Sequence, residues 1–216
     1  MAEKPNKQIS IQTMRRLPVY LHYLKSISGK QETVSATMIA AAFGLNDVQV
    51  RKDLSAVSGS GKPKTGYVTF ELLQQIERCL GCTSQTKMIL VGAGHLGQAL
   101  LAYDGFGDYG FSVVAAFDRD EALFDRKIAG KHIYPVEKME PFCRKEEINL
   151  AIIATPVQAA QEVCDRLVAC GVTAIWNFAP VILRVPDGVL VENENLASSL
   201  AVLARHLSRS DQTRCP

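Results

Sequence analysis

The chain has 216 residues and a mass of 23.6 kDa, which allows two compact domains but not an enzyme with a full substrate domain. Its residues are 47% hydrophobic and 21% charged, which excludes a disordered or low-complexity chain. Residues 1–80 contain eleven Lys and Arg against six Asp and Glu, a net charge of +5, while residues 81–216 have a net charge of −3. This division predicts a polyanionic partner for the first part, although ordinary solvated surface would give the same count.

The first ten residues are polar and lack the apolar core of a secretory signal. No run approaches the roughly 18 consecutive apolar residues needed to cross a bilayer. We therefore expect a cytoplasmic protein, not bound to a membrane, whose six cysteines are reduced thiols. Cys79 and Cys82 form one CxxC pair, and no second pair follows nearby to complete a tetrahedral site. No metal is predicted, and a thiol redox role for the pair is an alternative.

Three helices are predicted in the first part of the chain. Arg15–Lys25 places leucines at helical spacing, with Pro18 expected in the first turn. Ser35–Phe43 is rich in alanine, begins at a capping serine and precedes a glycine. Asp47–Val57 follows, with its first residue expected as the cap. Two helices joined by a short glycine-containing turn indicate a helix-turn-helix region, which we expect from Pro18 to Val57.

The third predicted helix has the side chains of a DNA-reading helix. Its apolar residues are expected to face the core, namely Val48, Val50, Leu54 and Val57. Its candidate contacts to double-stranded operator DNA are Gln49, Arg51, Lys52 and Ser55. Arginine can pair with guanine, glutamine with adenine, and lysine with phosphate. A merely solvent-exposed charged helix is the alternative.

A candidate wing follows this helix. Ser58–Gly66 is rich in glycine and carries Lys62 and Lys64, and the β-prone run Tyr67–Phe70 comes next. A basic hairpin tip of this kind can contact the DNA backbone or the minor groove, so both lysines are candidate DNA contacts. A flexible linker is the alternative. A fourth helix is predicted over Thr69–Leu80, and the glycine that follows is expected to end it.

The second part of the chain opens with a strand, a glycine-rich turn and a helix. Met88–Val91 is an apolar run of strand length, and Gln98–Tyr103 is helical in pattern. Between them lies a GxGxxG motif formed by Gly92, Ala93, Gly94, His95, Leu96 and Gly97. In this setting the first glycine allows the tight turn, the second the close approach of a pyrophosphate, and the third the packing of helix on strand. The motif residues are therefore candidate cofactor contacts.

Asp118 follows the next predicted strand, Ser112–Phe117, about two dozen residues after Gly94. A carboxylate at this position can bond the adenosine ribose hydroxyls and repels a 2′-phosphate, so NAD(H) is predicted rather than NADP(H). Arg119 is of the type that accommodates a 2′-phosphate, which keeps NADP(H) open. A glycine-rich turn without a ligand is the remaining alternative.

The alternation of strands and helices continues and predicts an α/β fold. Strands at Asn149–Ala154 and Val172–Phe178 flank a helix at Val157–Cys170, which indicates a Rossmann-like, doubly wound parallel sheet behind the N-terminal winged helix-turn-helix domain. Ligands of such sheets lie beyond the carboxyl ends of the strands, where Thr155 and Asn177 are expected. Taken singly, each of these residues is more simply read as an ordinary turn or core residue.

The last segment does not fit the predicted sheet. A helix over Glu194–Leu207 carries a leucine stripe formed by Leu196, Leu200, Leu203 and Leu207. This stripe must pack on its own domain or on a second subunit. We favour a homodimer, which would present two recognition helices to a palindromic site. The expected domains are a winged-helix domain (1–82), a nucleotide-binding domain (83–192), and a dimerisation helix with a tail (193–216).

Six short motifs together resemble the Rex family of redox-sensing transcriptional repressors. They are Val50–Ser55, Gly66–Tyr67, Gly92–Gly97, Asp104–Gly107, Asn177–Pro180 and Val191–Asn193. The resemblance spans nearly the whole chain. It implies a homodimeric repressor that leaves its operator when NADH replaces NAD⁺, with the C-terminal helix swapped between subunits near the nicotinamide. By position, it also implies that Tyr103 lies beside the nicotinamide.

The chain departs from the family pattern in three places. His22 stands where the family often has Arg, and Asn195 stands where it often has Asp. The resemblance implies that these two positions and the tyrosine form a polar switch. The wing also lacks the family's aromatic-glycine pattern. A Rex paralogue with an altered cofactor response is therefore an alternative.

An NAD-dependent dehydrogenase is the enzyme alternative, and we expect no enzyme. A dehydrogenase needs a general acid or base at the strand ends. The four histidines lie instead in the first helix, the glycine loop, a mid-domain segment and the terminal helix, as His22, His95, His132 and His206.

Overall fold

The computed structural model describes residues 9–63, 65–82, 85–195, 197–198, 200–201 and 203–205. The chain forms two compact units. Unit 1 comprises Met1–Gln85 together with Gly105–Gly110, and unit 2 comprises Thr86–Asp104 and Phe111–Pro216. Gly105–Gly110 therefore groups with unit 1, although it lies within the sequence range expected for the nucleotide-binding domain.

The described part of unit 1 contains four α-helices and a two-stranded sheet. The helices are α1 (Ile11–Ile27), α2 (Ala36–Phe43), α3 (Asp47–Ser58) and α4 (Thr69–Leu80). The strands β1 (Thr33–Val34) and β2 (Tyr67–Val68) pair antiparallel. A core of apolar residues from all four helices holds the unit together, including Leu17, Leu24, Ile39, Val50, Leu54, Leu72 and Ile76. The predicted winged helix-turn-helix architecture is confirmed.

Two helix starts differ from the prediction. The side chain of Ser10 accepts a hydrogen bond from Thr13 N at 3.2 Å and starts α1 four residues before Arg15. Pro18 therefore lies in the helix interior, not in the first turn, and leaves Met14 O without its helical N–H donor. The cap of α3 is Asn46, whose Oδ1 accepts from the N–H groups of the second and third helical residues.

The wing is a short hairpin closed by two backbone hydrogen bonds. Lys62 N donates to Gly66 O at 2.8 Å, and Gly66 N donates to Lys62 O at 2.9 Å. Lys64 lies outside the described residues. The strand predicted at Tyr67–Phe70 is shorter than expected because Thr69 already begins α4, and its N–H donates to Glu32 O at 2.8 Å.

Unit 2 is a three-layer α/β unit. Its strands are β3 (Thr86–Val91), β4 (Phe111–Asp118), β5 (Lys127–Ile128), β6 (Lys131–Pro135), β7 (Leu150–Ile153), β8 (Ala174–Asn177) and β9 (Leu190–Asn193). Its helices are α5 (His95–Leu101), α6 (Met139–Glu146) and α7 (Val157–Ala169). The described strands are ordered β5-β6-β4-β3-β7-β8-β9, and all neighbours are parallel except β5 and β6. The predicted doubly wound parallel sheet is confirmed.

The register of the central strands places the predicted ligand residues together at the carboxyl-terminal ends of those strands. Val91 of β3 pairs with Phe117 of β4 on one side and with Ile153 of β7 on the other. The chain segments that follow these residues therefore leave the sheet at the same level. The order of the strands reverses between β3 and β7, and ligands of doubly wound sheets bind at this point.

The sequence analysis missed several elements of unit 2. The β5–β6 hairpin and the eight-residue helix α6 are short elements that were not predicted. Leu190–Asn193, just before the predicted terminal helix, was not predicted as a strand, yet it forms β9 and pairs parallel with β8. Leu190 is 69% exposed, as expected for an edge strand, so the apolar pattern of this strand is weak.

The predicted terminal helix is described only in part. Residues 197–198, 200–201 and 203–205 are helical, while Leu196, Leu207 and His206 lie outside the described residues. Leu200 and Leu203 are exposed in the single chain. In the part of the chain that the structure describes, no helix combines the length and apolar character needed to cross a membrane.

Candidate functional site

The outer side of α3 carries the polar residues that the sequence singled out. Gln49, Arg51 and Lys52 are exposed, and Ser55 is partly exposed. One guanidinium nitrogen of Arg51 donates to Asp47 Oδ2 at 3.1 Å, one helical turn earlier. Val48 is 51% exposed, so its predicted place in the core is wrong. The surface of α3 thus offers cationic and amide groups beside one exposed apolar side chain.

Beneath this surface lies a buried carboxylate that the sequence analysis missed. Asp53 is 1% exposed, and its Oδ1 accepts hydrogen bonds from Thr13 Oγ1 at 2.9 Å, Arg16 Nη2 at 2.9 Å and Gln49 Nε2 at 3.0 Å. Its Oδ2 accepts from Arg16 Nε at 2.7 Å and from Tyr20 OH at 2.9 Å. The signal was present in the sequence, because residue 53 falls on the same helical face as the buried Val50 and Leu54.

The network shifts the titration of its own members. Burial alone would raise the pKa of Asp53, but the hydrogen bonds from Arg16, Tyr20, Thr13 and Gln49 outweigh it and lower that pKa below the ordinary value. Burial and the hydrogen bond to Asp53 raise the pKa of Tyr20 to about 12. The carboxylate is therefore ionised and the phenol neutral at physiological pH.

The glycine loop after β3 is shaped by backbone packing. Gly92 N donates to Phe117 O at 2.8 Å, and Gly92 has a φ of +98°. A Cβ at this residue would lie 2.6 Å from Ala154 O. A Cβ at Gly97 would overlap the carbonyl oxygen of Gly92. The tight turn and the close packing of α5 predicted for these two glycines are both present.

Gly94 is different, because no packing contact with the described residues requires a glycine there. A Cβ built on Gly94 has no protein atom within 4 Å, and the residue is exposed at the N-terminal end of α5. His95 and Leu96 are exposed beside it, while Ala93 is buried. The open space in front of Gly94 fits the close approach of a phosphate group to the backbone.

Asp118 connects the end of β4 to the glycine loop. Its Oδ2 accepts a hydrogen bond from Ala93 N at 2.5 Å, and its Oδ1 accepts from Asp120 N at 2.9 Å. An ionised carboxylate has about four lone-pair positions, so about two remain for a ligand's hydroxyl groups. Arg119, the residue that kept NADP(H) open, is exposed next to it.

Three further predicted ligand residues have different surroundings. Thr155 Oγ1 is buried without a hydrogen-bond partner in the structure, which fits a polar group that a ligand completes. Asn177 is fully buried, and its Nδ2 lies within hydrogen-bond distance of Ala179 O, Val181 O and Asn193 Oδ1. We therefore expect Asn177 to shape the loop 178–181 beside the site. Tyr103 is 57% exposed, directly after α5.

Comparisons with known proteins match the two parts of the chain separately. A family model described as "CoA binding domain" matches residues 83–181, and one described as "Putative DNA-binding protein N-terminus" matches residues 8–55. The redox-sensing transcriptional repressor Rex of Streptomyces avermitilis is 43% identical over 198 residues, which cover 91% of this chain and 79% of the relative. The Rex of Pelotomaculum thermopropionicum is 40% identical and covers 92% of this chain and 94% of the relative. The chain belongs to the Rex family of redox-sensing transcriptional repressors.

Solved Rex structures share the fold of this Rex chain. RSP, a Rex-family repressor, in complex with β-NAD⁺ and operator DNA matches with a TM-score of 0.88 and 34% identity over 96% of each chain. RSP in complex with β-NADH matches with a TM-score of 0.85 and 33% identity over 96% of this chain and 98% of that chain.

The two residues of this Rex chain that depart from the resemblance have ordinary surroundings. His22 is exposed on α1. Asn195 Oδ1 accepts a hydrogen bond from Ala197 N at 3.1 Å, as a residue that caps the following helix does. Within the described ranges, no group of three or more His, Cys, Asp or Glu could hold a metal ion.

Proposed function

We propose that this Rex chain is a transcriptional repressor that binds double-stranded operator DNA through unit 1 and senses the NADH/NAD⁺ ratio through unit 2. NADH binding releases the repressor from the operator. One observation carries the proposal. The same chain has an exposed polar helix in a helix-turn-helix and a glycine loop whose Ala93 N–H donates to Asp118.

In unit 1, we assign DNA contacts to the exposed residues of α3 and to the wing. The assigned residues are Gln49, Arg51, Lys52, Ser55, Lys62 and Lys64. The arginine and the glutamine can read bases in the major groove, while the lysines neutralise phosphates. Lysine contacts of this kind make the affinity fall linearly with the logarithm of the salt concentration.

In unit 2, we assign the dinucleotide to the edge where β3, β4 and β7 end. The assigned contacts are Gly92, Ala93, Gly94, His95, Leu96, Gly97, Tyr103, Asp118, Arg119 and Thr155. Asn177 is fully buried, and we assign it the shaping of the loop 178–181 beside them. Backbone amides near Gly94 would take the pyrophosphate, and Asp118 would take the adenosine ribose. A carboxylate there opposes a phosphorylated ribose, which disfavours both NADP(H) and coenzyme A. When bound, the dinucleotide supplies a nicotinamide ring whose charge differs between NAD⁺ and NADH.

Release of DNA requires that NADH bind the DNA-incompetent arrangement better than the competent one. A hundredfold preference corresponds to about 2.7 kcal/mol, enough to turn a roughly 10:1 equilibrium into roughly 1:10. We place both arrangements in a homodimer located in the cytoplasm. Ile182 (83%), Leu190 (69%) and Leu200 (64%) are exposed apolar side chains of unit 2 that a second subunit would cover.

The proposal is tested by titrating the full chain onto a DNA duplex selected from a random pool in the presence of NAD⁺. Fluorescence anisotropy measures the affinity with NAD⁺, with NADH, and with NADPH or coenzyme A as controls. We expect NADH to weaken binding at least tenfold and the controls to have little effect. If saturating NADH, confirmed by its own fluorescence, leaves the DNA affinity unchanged, the sensing function is wrong.

We also propose that the chain is a regulator without catalytic activity. Consumption of NADH in the presence of hydroxy acids or aldehydes would contradict this and favour the dehydrogenase. The thiol alternative is disfavoured because burial raises the pKa of both Cys79 and Cys82, and a less ionised thiol is a poorer nucleophile. Replacing both cysteines by serine should leave the cofactor response unchanged.

A further inference from the structure

Arg16 is an arginine of unit 1 outside the predicted DNA contacts. Arg16 lies on α1 and makes two hydrogen bonds to Asp53 of α3, through Nε at 2.7 Å and through Nη2 at 2.9 Å. Asp53 is 1% exposed, but the Arg16 side chain is 28% exposed. The guanidinium therefore reaches from a buried carboxylate to the molecular surface.

The exposed part of Arg16 lies in a concave surface next to the recognition helix. Six residues line this concavity, namely Arg16, Leu45, Asn46, Val48, Gln49 and Lys52. Two of them are cationic and none is acidic. The concavity contains the predicted base-reading Gln49 and the predicted phosphate contact Lys52, so a duplex that meets these residues also meets Arg16.

The second guanidinium amino group is available for a ligand. Nε and Nη2 of Arg16 donate to Asp53, and the guanidinium also interacts with the phenol of Tyr20, which helps to raise the pKa of Arg16. Nη1 donates no hydrogen bond of standard geometry to a described residue. The fork geometry fixes the direction of Nη1 once the other two nitrogens are bound. Arg16 is thus a pre-oriented donor of the kind that binds a phosphate oxygen.

Asp53 orients a second residue of the same surface. Gln49 Nε2 donates to Asp53 Oδ1 at 3.0 Å, which leaves Gln49 Oε1 and one N–H for another partner. An adenine edge needs one acceptor and one donor from a glutamine. One buried carboxylate therefore sets the orientation of both a base-reading amide and the guanidinium beside it.

We propose that Arg16 is a DNA phosphate contact of this repressor, and that Asp53 is a positioning residue that aligns Arg16 and Gln49 for the operator. The proposal rests on the DNA-binding function proposed above and extends it. The paired carboxylate offsets much of the charge of Arg16. The contribution of Arg16 is therefore mainly directional, and it favours the operator over unrelated duplexes.

The test compares variants of the full chain for binding to the selected operator and to a scrambled duplex over a salt series. We expect Arg16→Met to weaken operator binding about tenfold and to lower the salt slope by up to about one. Arg16→Lys keeps a charge but cannot form the two-point contact with Asp53. We expect it to restore the salt slope without restoring the preference for the operator.

Two controls separate DNA contact from a purely structural role. Tyr20→Phe removes another donor to Asp53 Oδ2, but Tyr20 is fully buried and cannot touch DNA. Arg166→Lys alters a two-point arginine pair with Glu140 in unit 2, in which the arginine is also 28% exposed. Both control variants should keep wild-type operator affinity at a temperature where circular dichroism shows them folded.

For Asp53, the decisive variant is Asp53→Asn, which keeps the size of the side chain and removes its charge. We expect the ratio of operator to scrambled affinity to fall about tenfold, while scrambled binding is unchanged or stronger because Arg16 is released. Equal operator affinity of Arg16→Met, Asp53→Asn and wild type would overturn the proposal. If the wild type itself binds no selected duplex, the proposed function fails instead.

Discussion

In unit 1, the polar face of α3 is aligned from beneath by one buried side chain, whereas in unit 2 the glycine loop is shaped by backbone packing. Asp53 accepts hydrogen bonds from four residues, and two of these reach the surface. The loop depends on Gly92 and Gly97, which have no side chain and tolerate none. The first site is therefore damaged by removing atoms, and the second by adding them.

The largest expected effect comes from removing the carboxylate of unit 1. Asp53→Ala leaves Arg16, Tyr20 and Thr13 without their acceptor, and breaking a buried pair in this way costs about 3 kcal/mol. Urea unfolding followed by circular dichroism should show an earlier transition for unit 1. The fluorescence of Trp176, the only tryptophan of the chain, reports unit 2 and should be unchanged. A wild-type unfolding profile would mean that the network is not stabilising.

The matching experiment in unit 2 adds one methyl group to the loop. Gly97→Ala places a Cβ against Gly92 O, so α5 must move away, at a cost of about 2 kcal/mol. We expect NADH affinity, measured by fluorescence titration, to fall by more than tenfold together with the stability of unit 2.

Gly94→Ala is the control for this variant, because its Cβ meets no protein atom. We expect the stability of unit 2 to remain at the wild-type level while NADH affinity falls. If Gly94→Ala binds NADH as tightly as wild type, the pyrophosphate does not approach the backbone at this residue.

The same contrast explains which features could be predicted from the sequence. The glycine loop was predictable residue by residue, because backbone constraints leave glycines at set spacings. The strands β3, β4, β7 and β8 were predictable because buried parallel strands are continuous apolar runs. The edge strand β9 was missed, since only a strand with both faces covered shows such a run.

The hydrogen-bond network around the buried Asp53 could not be predicted from residue spacing or from apolar runs. Thr13, Arg16 and Tyr20 meet Asp53 across 33 to 40 residues of sequence, and polar residues give no periodic signal that they are paired. The start of α1 was misplaced for a local reason, because Pro18 was taken as a first-turn residue although Ser10 caps the helix.

A smaller effect is expected from one donor of the network. Tyr20→Phe removes a hydrogen bond to Asp53 and should lower the stability of unit 1 by about 1 kcal/mol at neutral pH. The pKa of Tyr20 is raised to about 12 in the folded protein, above its usual value of about 10 when unfolded. Wild-type stability should therefore fall as the pH rises from about 10 towards about 12, since unfolding then releases a proton.

Urea titrations of both proteins at neutral and alkaline pH measure this difference. The Tyr20→Phe variant lacks the phenol and should lose less stability over the same alkaline range. Equal alkaline losses in the two proteins would show that another group is responsible.

The smallest effect on stability is expected at the exposed end of α3. Asp47 pairs with Arg51 at 3.1 Å, and both side chains are largely exposed, so Asp47→Asn should cost only about 0.5 kcal/mol. The effect of Asp47→Asn on DNA binding should be easier to measure, and it should be a gain of affinity rather than a loss. The substitution removes a negative charge from the surface that we propose as the DNA interface and frees Arg51 from Asp47, so operator affinity should rise a few-fold.

Fluorescence anisotropy over a salt series measures this gain. The matched control is Asp165→Asn, which removes an exposed carboxylate from helix α7 of unit 2 and should leave operator binding unchanged. A gain in Asp47→Asn alone would place the DNA-facing charge on α3. A loss of affinity in Asp47→Asn would show that Arg51, like Arg16, needs its carboxylate partner to orient it, and the expected gain would then be wrong.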